Sequence, residues 1–101
     1  MKFIRNKPVW ELSDDEITDN FLSSEIKNKS RILSYMKSFS EPSAYTSQPV
    51  IDRFTNQELN KINNAFSDGI YTWYADEIYH VEKYNLKLND DFIEYVLNKV
   101  R

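Results

Sequence analysis

The chain has 101 residues, 13 of them Lys or Arg and 16 Asp or Glu, for a net charge of −3. It contains no Cys, one His and one Gly, yet fifteen residues are Phe, Trp or Tyr. These counts exclude a disulfide framework, Cys-based zinc sites, an HExxH helix and the glycine-rich phosphate loops.

The length fits a single domain over residues 1–101. The mild acidity argues against direct nucleic-acid binding, which needs a positive surface. No run of about 18 apolar residues occurs, so no membrane span is expected. The stretch Met1–Lys7 has basic residues but no apolar core of a signal peptide, so a cytoplasmic location is expected. No cofactor and no metal ion are expected.

Charge is unevenly placed. Residues 11–25 hold Glu11, Asp14, Asp15, Glu16, Asp19 and Glu25 and no base, between two basic stretches. Acids at helix starts complement the macrodipole. The same block could also form an acidic contact patch.

Ser13-Asp14-Asp15-Glu16 reads as a capping box, with Ile17 and Phe21 on one face behind it. A second helix is expected from about Glu25 to Phe39, with Ile32, Met36 and Phe39 at helical spacing. These make up an N-terminal helical region, 13–39. Residues 40–54 read as an irregular loop, punctuated by Pro42 and Pro49, with Pro49–Phe54 as a possible edge strand. In the C-terminal region, 55–101, Thr55-Asn56-Gln57-Glu58 reads as another capping box. It predicts a short helix through Leu59, Ile62 and Phe66. Gly69 then turns the chain, in a position where positive φ would explain a glycine.

Ile70–Tyr74 has the strongest β composition in the chain. Tyr74, Ile78 and Val81 predict a helix closed by Asn85. Leu86 and Leu88 alternate across an extended link, and Asn89 opens a last helix with Phe92, Ile93, Val96, Leu97 and Val100 on its apolar face. The expected class is therefore mainly α, with about five helices and at most a short two-stranded β element.

His80 is the one histidine and lacks local partners for a triad, so a surface helix position is expected for it. The adjacent acids Asp14-Asp15, Asp76-Glu77 and Asp90-Asp91 point to different sides of a helix and are not catalytic dyads. An enzyme is not expected. Tyr71, Tyr74, Tyr79, Tyr84 and Tyr95 gather with Trp73 in one stretch. Trp73, Tyr74 and Tyr84 read as core, whereas Tyr71 and Tyr79 lie off the helical stripe and are candidates for an interface.

The segment Ser67-Asp68-Gly69-Ile70-Tyr71-Thr72-Trp73-Tyr74-Ala75-Asp76-Glu77-Ile78-Tyr79-His80-Val81-Glu82-Lys83-Tyr84-Asn85-Leu86-Lys87-Leu88, followed by Phe92-Ile93, carries a recognisable pattern. An Asp-Gly turn leads into an aromatic strand with Trp, an Asp follows three residues later, and a Tyr-rich helix runs into a Leu-x-Leu link. It resembles the small immunity proteins encoded beside bacterial polymorphic toxins, including contact-dependent growth-inhibition systems. The chain departs from that pattern at Asn89, where Pro is usual, and at Phe39, where Gly is usual.

The resemblance implies a protein that blocks a cognate toxin domain stoichiometrically. Many such toxins are nucleases, whose basic sites attract acids. Asp14, Asp15, Glu16, Asp19, Asp76 and Glu77 are then candidate contacts, together with Tyr71 and Tyr79. Asp68, Gly69, Trp73 and Tyr84 are motif residues with expected structural roles: turn, turn, core and core. The other reading is a helical adaptor with an unrelated protein partner.

Overall fold

A computed structural model describes residues 2–3, 9–13, 15–16 and 28–99. In chain order the elements are β1 (Lys2–Phe3), a 3-10 turn (Val9–Glu11), α1 (Lys29–Lys37), β2 (Pro49–Ile51), β3 (Glu58–Ile62), β4 (Ala65–Ser67), β5 (Tyr71–Tyr74), α2 (Ala75–Tyr84) and α3 (Asp90–Lys99). The mainly α expectation is therefore wrong. The described residues form a mixed fold with three α-helices and two small sheets.

The difference arises at residues 55–66, where a helix was expected. Glu58–Ile62 and Ala65–Ser67 are instead strands of different sheets. Helical spacing of Leu59, Ile62 and Phe66 is outweighed by partners distant in sequence: Asn63 Oδ1 accepts from the Asp76 N–H and Asn64 Oδ1 from the Thr46 N–H. Asn56 takes the left-handed conformation, φ 60°, and its N–H closes the β2–β3 loop onto the Asp52 carbonyl at 2.7 Å. The Thr55 hydroxyl accepts from the Gln57 N–H within that loop rather than capping a helix.

The larger sheet has the order β1-β5-β4, with β1 parallel and β4 antiparallel to the central β5. Composition explains the centre: Tyr71, Thr72 and Trp73 of β5 are all buried, and β-branched and aromatic residues suit a strand covered on both faces. The β4–β5 turn is fixed by Asp68, whose Oδ1 accepts from the N–H groups of Ile70 (2.9 Å) and Tyr71 (2.8 Å). Gly69 follows at φ 98°, where a side chain is strained.

The main core brings Ile32, Leu33 and Met36 of α1, Val81 of α2 and Phe92 and Val96 of α3 onto Tyr71 and Trp73. Phe92 meets Tyr71 edge-to-face at 5.1 Å and lies 5.8 Å from Trp73. The second sheet is the antiparallel pair β2–β3, with a register shift between Pro49 and Ile51. It stands beside the main core, and Val50 is its fully buried residue.

Several local expectations hold. Ser13 N–H donates to Glu16 Oε1 and Glu16 N–H to Ser13 Oγ, which is the reciprocal capping box. The expected apolar stripe at Ile17 and Phe21, and the expected helix start at 25–27, lie outside the described residues. Asn85, φ 58°, ends α2 in the left-handed conformation.

Candidate functional site

The candidate contact residues scatter. Asp14 and Asp19 lie outside the described residues. Asp15 is exposed, and Glu16 is half-buried in its capping box. Tyr71, Asp76 and Glu77 are buried. Tyr71 packs against Phe92 and Tyr95 and its hydroxyl donates to Asp91 at 3.3 Å. Glu77 accepts from the Tyr74 N–H at 3.1 Å, a cap on α2. The Asp76 carboxylate accepts from Asn63 Nδ2 at 3.2 Å, while its N–H donates to Asn63 Oδ1 at 2.9 Å. Of the motif residues, Trp73 is fully buried, and Asp68 also accepts from the Tyr35 hydroxyl at 2.5 Å.

Tyr79 and Tyr84 are brought together on one acid, Asp52. Their hydroxyls donate to Oδ2 at 2.6 and 2.5 Å, and Oδ1 accepts from the N–H groups of Phe54 (2.8 Å) and Thr55 (3.0 Å). Burial alone would raise the Asp52 pKa, but these four bonds to the ionised form hold it well below the usual carboxylate range. Burial and then the bond to Asp52 push the Tyr84 hydroxyl up to about 12. Lys83, on the rim, donates to the Tyr79 hydroxyl at 3.2 Å.

His80 lies beneath this cluster and is fully buried, which corrects its expected surface position. Its Nδ1 is 2.7 Å from the Asp76 carbonyl oxygen, and its Nε2 accepts from the Arg53 N–H at 3.1 Å. One nitrogen must donate and the other accept, so the neutral Nδ1–H tautomer satisfies both. Neither Asp52 nor His80 is arranged as a general base, because their lone pairs are already held by the chain's own donors. The cluster is an anchor between the β2–β3 loop and α2.

What the anchor positions is a groove of about 580 Å³. Trp10, Pro49, Ile51 and Tyr74 form its apolar wall, and Thr46, Gln48, Arg53, Asn56, Asn63 and Asp76 add polar groups. Trp10 meets Tyr74 edge-to-face at 4.7 Å. Trp10 is 46% exposed and Ile51 40%. Arg53 does not offer a free charge: its guanidinium donates to the carbonyls of Val9 and Leu12, the latter at 2.6 Å.

Sequence reasoning missed Asp52, Arg53, Asn63 and Trp10. The partners of Asp52 are 27 and 32 residues away, so no local spacing announces them. The excess of tyrosines was the available signal, since buried hydroxyls need acceptors.

Against family models, curated proteins and solved structures, the chain finds no match. Among the described residues, no helix is long and apolar enough to cross a membrane.

Proposed function

We propose that the chain is a cytoplasmic binding protein of the immunity type, which neutralises a toxin domain by covering its active site or substrate groove. It acts stoichiometrically and performs no catalysis. The observation that carries the binding reading is the apolar surface around the β2–β3 hairpin, where Trp10, Ile51 and Ile62 are each 40% or more exposed. Exposed aromatic and branched side chains beside a groove favour protein contact. The toxin as partner rests on the resemblance carried by residues 67–88 and 92–93. The test is co-expression with the product of the adjacent toxin gene. A stable one-to-one complex and protection of the cell are expected. Absence of both overturns the immunity reading and leaves the adaptor.

A further inference from the structure

The one glycine of the chain follows an aspartate, and no other Asp or Asn stands before Gly or Ser. An Asp–Gly bond carries its own chemistry. The Gly69 main-chain nitrogen can bond to Cγ of the protonated Asp68 carboxyl group. One carboxyl oxygen then leaves as water, taking the carboxyl proton and the amide proton, and a five-membered succinimide remains. Water reopens the ring. Cleavage between the Gly69 nitrogen and the Asp68 main-chain carbonyl carbon leaves the chain running through Cβ and Cγ, as isoaspartate. One water is lost and one regained, so no oxidant or other co-reactant is needed. Glycine favours the first step, because it has no Cβ to block the approach of its nitrogen.

Solvent is at hand, since Gly69 and Ile70 are exposed. What opposes the reaction is the way the turn holds both reacting groups. Asp68 Oδ1 accepts from the N–H groups of Ile70 (2.9 Å) and Tyr71 (2.8 Å), and Oδ2 accepts from the Tyr35 hydroxyl at 2.5 Å. Turning Cγ onto the Gly69 nitrogen breaks these bonds. Burial alone would raise the Asp68 pKa, but the bonds from Tyr35, Tyr71 and Ile70 lower it, which keeps the carboxyl ionised and its oxygen a poor leaving group. The attacking nitrogen is held as well, because the Gly69 N–H donates to Ser67 Oγ at 3.0 Å.

We propose that Asp68–Gly69 is an isoaspartate-forming site, kept as aspartate in the folded chain by the hydrogen bonds on the Asp68 carboxylate and the Gly69 N–H, and converted when the β4–β5 turn opens. Isoaspartate adds one atom to the main chain and moves the carboxylate from Cβ to Cα, away from its three donors. The bond from the Asp68 N–H to the Tyr71 carbonyl, 3.3 Å, then goes out of register. Tyr71 opens the central strand β5 and belongs to the main core, so the damage reaches beyond the turn. The inference rests on these residues alone and is independent of the immunity reading.

The test holds the full chain at pH 7 for several weeks, folded and unfolded in guanidinium chloride. Isoaspartate is then labelled in digests by an isoaspartate carboxyl methyltransferase and located by peptide mapping. In the unfolded chain it is expected at position 68 ahead of every other site. The folded chain should form it about tenfold or more slowly, because conversion waits on local opening. Tyr35→Phe keeps the ring and removes one donor to the carboxylate, so conversion in the folded variant should quicken about tenfold. Ser67→Ala, which frees the Gly69 N–H, should also quicken it, with Tm unchanged. Val50→Ala weakens packing in the other sheet and should leave the rate near the parent's. No isoaspartate at position 68 in the unfolded chain overturns the site. Equal rates in the folded and unfolded parent overturn the protection. No acceleration in either Tyr35→Phe or Ser67→Ala, or equal acceleration by Val50→Ala, overturns the role of these bonds.

Discussion

Asp52 concentrates the polar energetics of the molecule on two oxygen atoms. Four donors from two elements converge on it, and hydrogen bonds to an ionised group are about twice as strong as neutral ones. Asp52→Asn keeps the shape but turns an NH2 group toward either the tyrosine hydroxyls or the loop N–H groups. The expected cost is about 2–4 kcal/mol by urea unfolding at pH 7. The pH dependence has a definite sign. A carboxylate whose folded pKa is depressed stabilises the fold above its unfolded value near 4 and loses that contribution as pH falls toward the folded value. The parent should therefore lose stability steeply below about pH 4, and Asp52→Asn should flatten that limb. At the alkaline end the same bond works through Tyr84. Its folded pKa is raised to about 12, so its contribution is complete below the unfolded value near 10 and disappears between the two. Ultraviolet titration at 295 nm should show one late-ionising tyrosine fewer in Tyr84→Phe.

Elements in this protein are set by short polar devices more than by hydrophobic period. The β4–β5 turn depends on Asp68 and Gly69. An added Cβ at Gly69 would meet nothing within 4 Å, so Gly69→Ala costs only the backbone strain of φ 98°. A loss of about 1–2 kcal/mol in thermal or urea unfolding is expected, with no change in structure elsewhere. That turn was legible because Asp-Gly is a local signal, and so were β5, α2 and the left-handed stop at Asn85. The buried faces of α1 and α3 were legible from their periods, since Ile32, Met36, Phe92 and Val96 are fully buried. The β2–β3 hairpin was not. Thr55 and Glu58 sit at capping-box spacing, and Leu59, Ile62 and Phe66 at helical spacing, so both local rules pointed the wrong way. The outcome is decided by contacts distant in sequence, Asp52 to α2 and Asn63 to Asp76. The groove shares that cause, because Ile51 comes to line it with Trp10 and Tyr74 only once the hairpin is docked.

At the scale of the whole molecule the two sheets are stabilised differently. The β1-β5-β4 sheet lies under three helices and holds the large buried rings Trp73 and Phe92. The β2–β3 hairpin contributes Val50 as its fully buried residue, and an isolated two-stranded hairpin is marginal in water. It is tied to the rest by polar contacts: Asp52 to Tyr79 and Tyr84, Arg53 to the carbonyls of Val9 and Leu12 and to His80, and Asn63 to Asp76. Such a unit opens at lower free energy than a core packed by helices. Asn63→Ala removes the tie at the hairpin's C-terminal end and leaves the acid cluster at its tip intact. Hydrogen exchange should then quicken about tenfold or more at Val50, Leu59 and Lys61, since losing a hydrogen bond to a charged group costs about 1.5–3 kcal/mol. Amides of Trp73, Val81 and Val96 should keep the parent's protection. Equal acceleration in both groups would mean that the hairpin and the helical core open as one unit. The selective outcome would mark the β2–β3 hairpin, and the groove wall that Pro49 and Ile51 supply, as opening at lower free energy than the helical core.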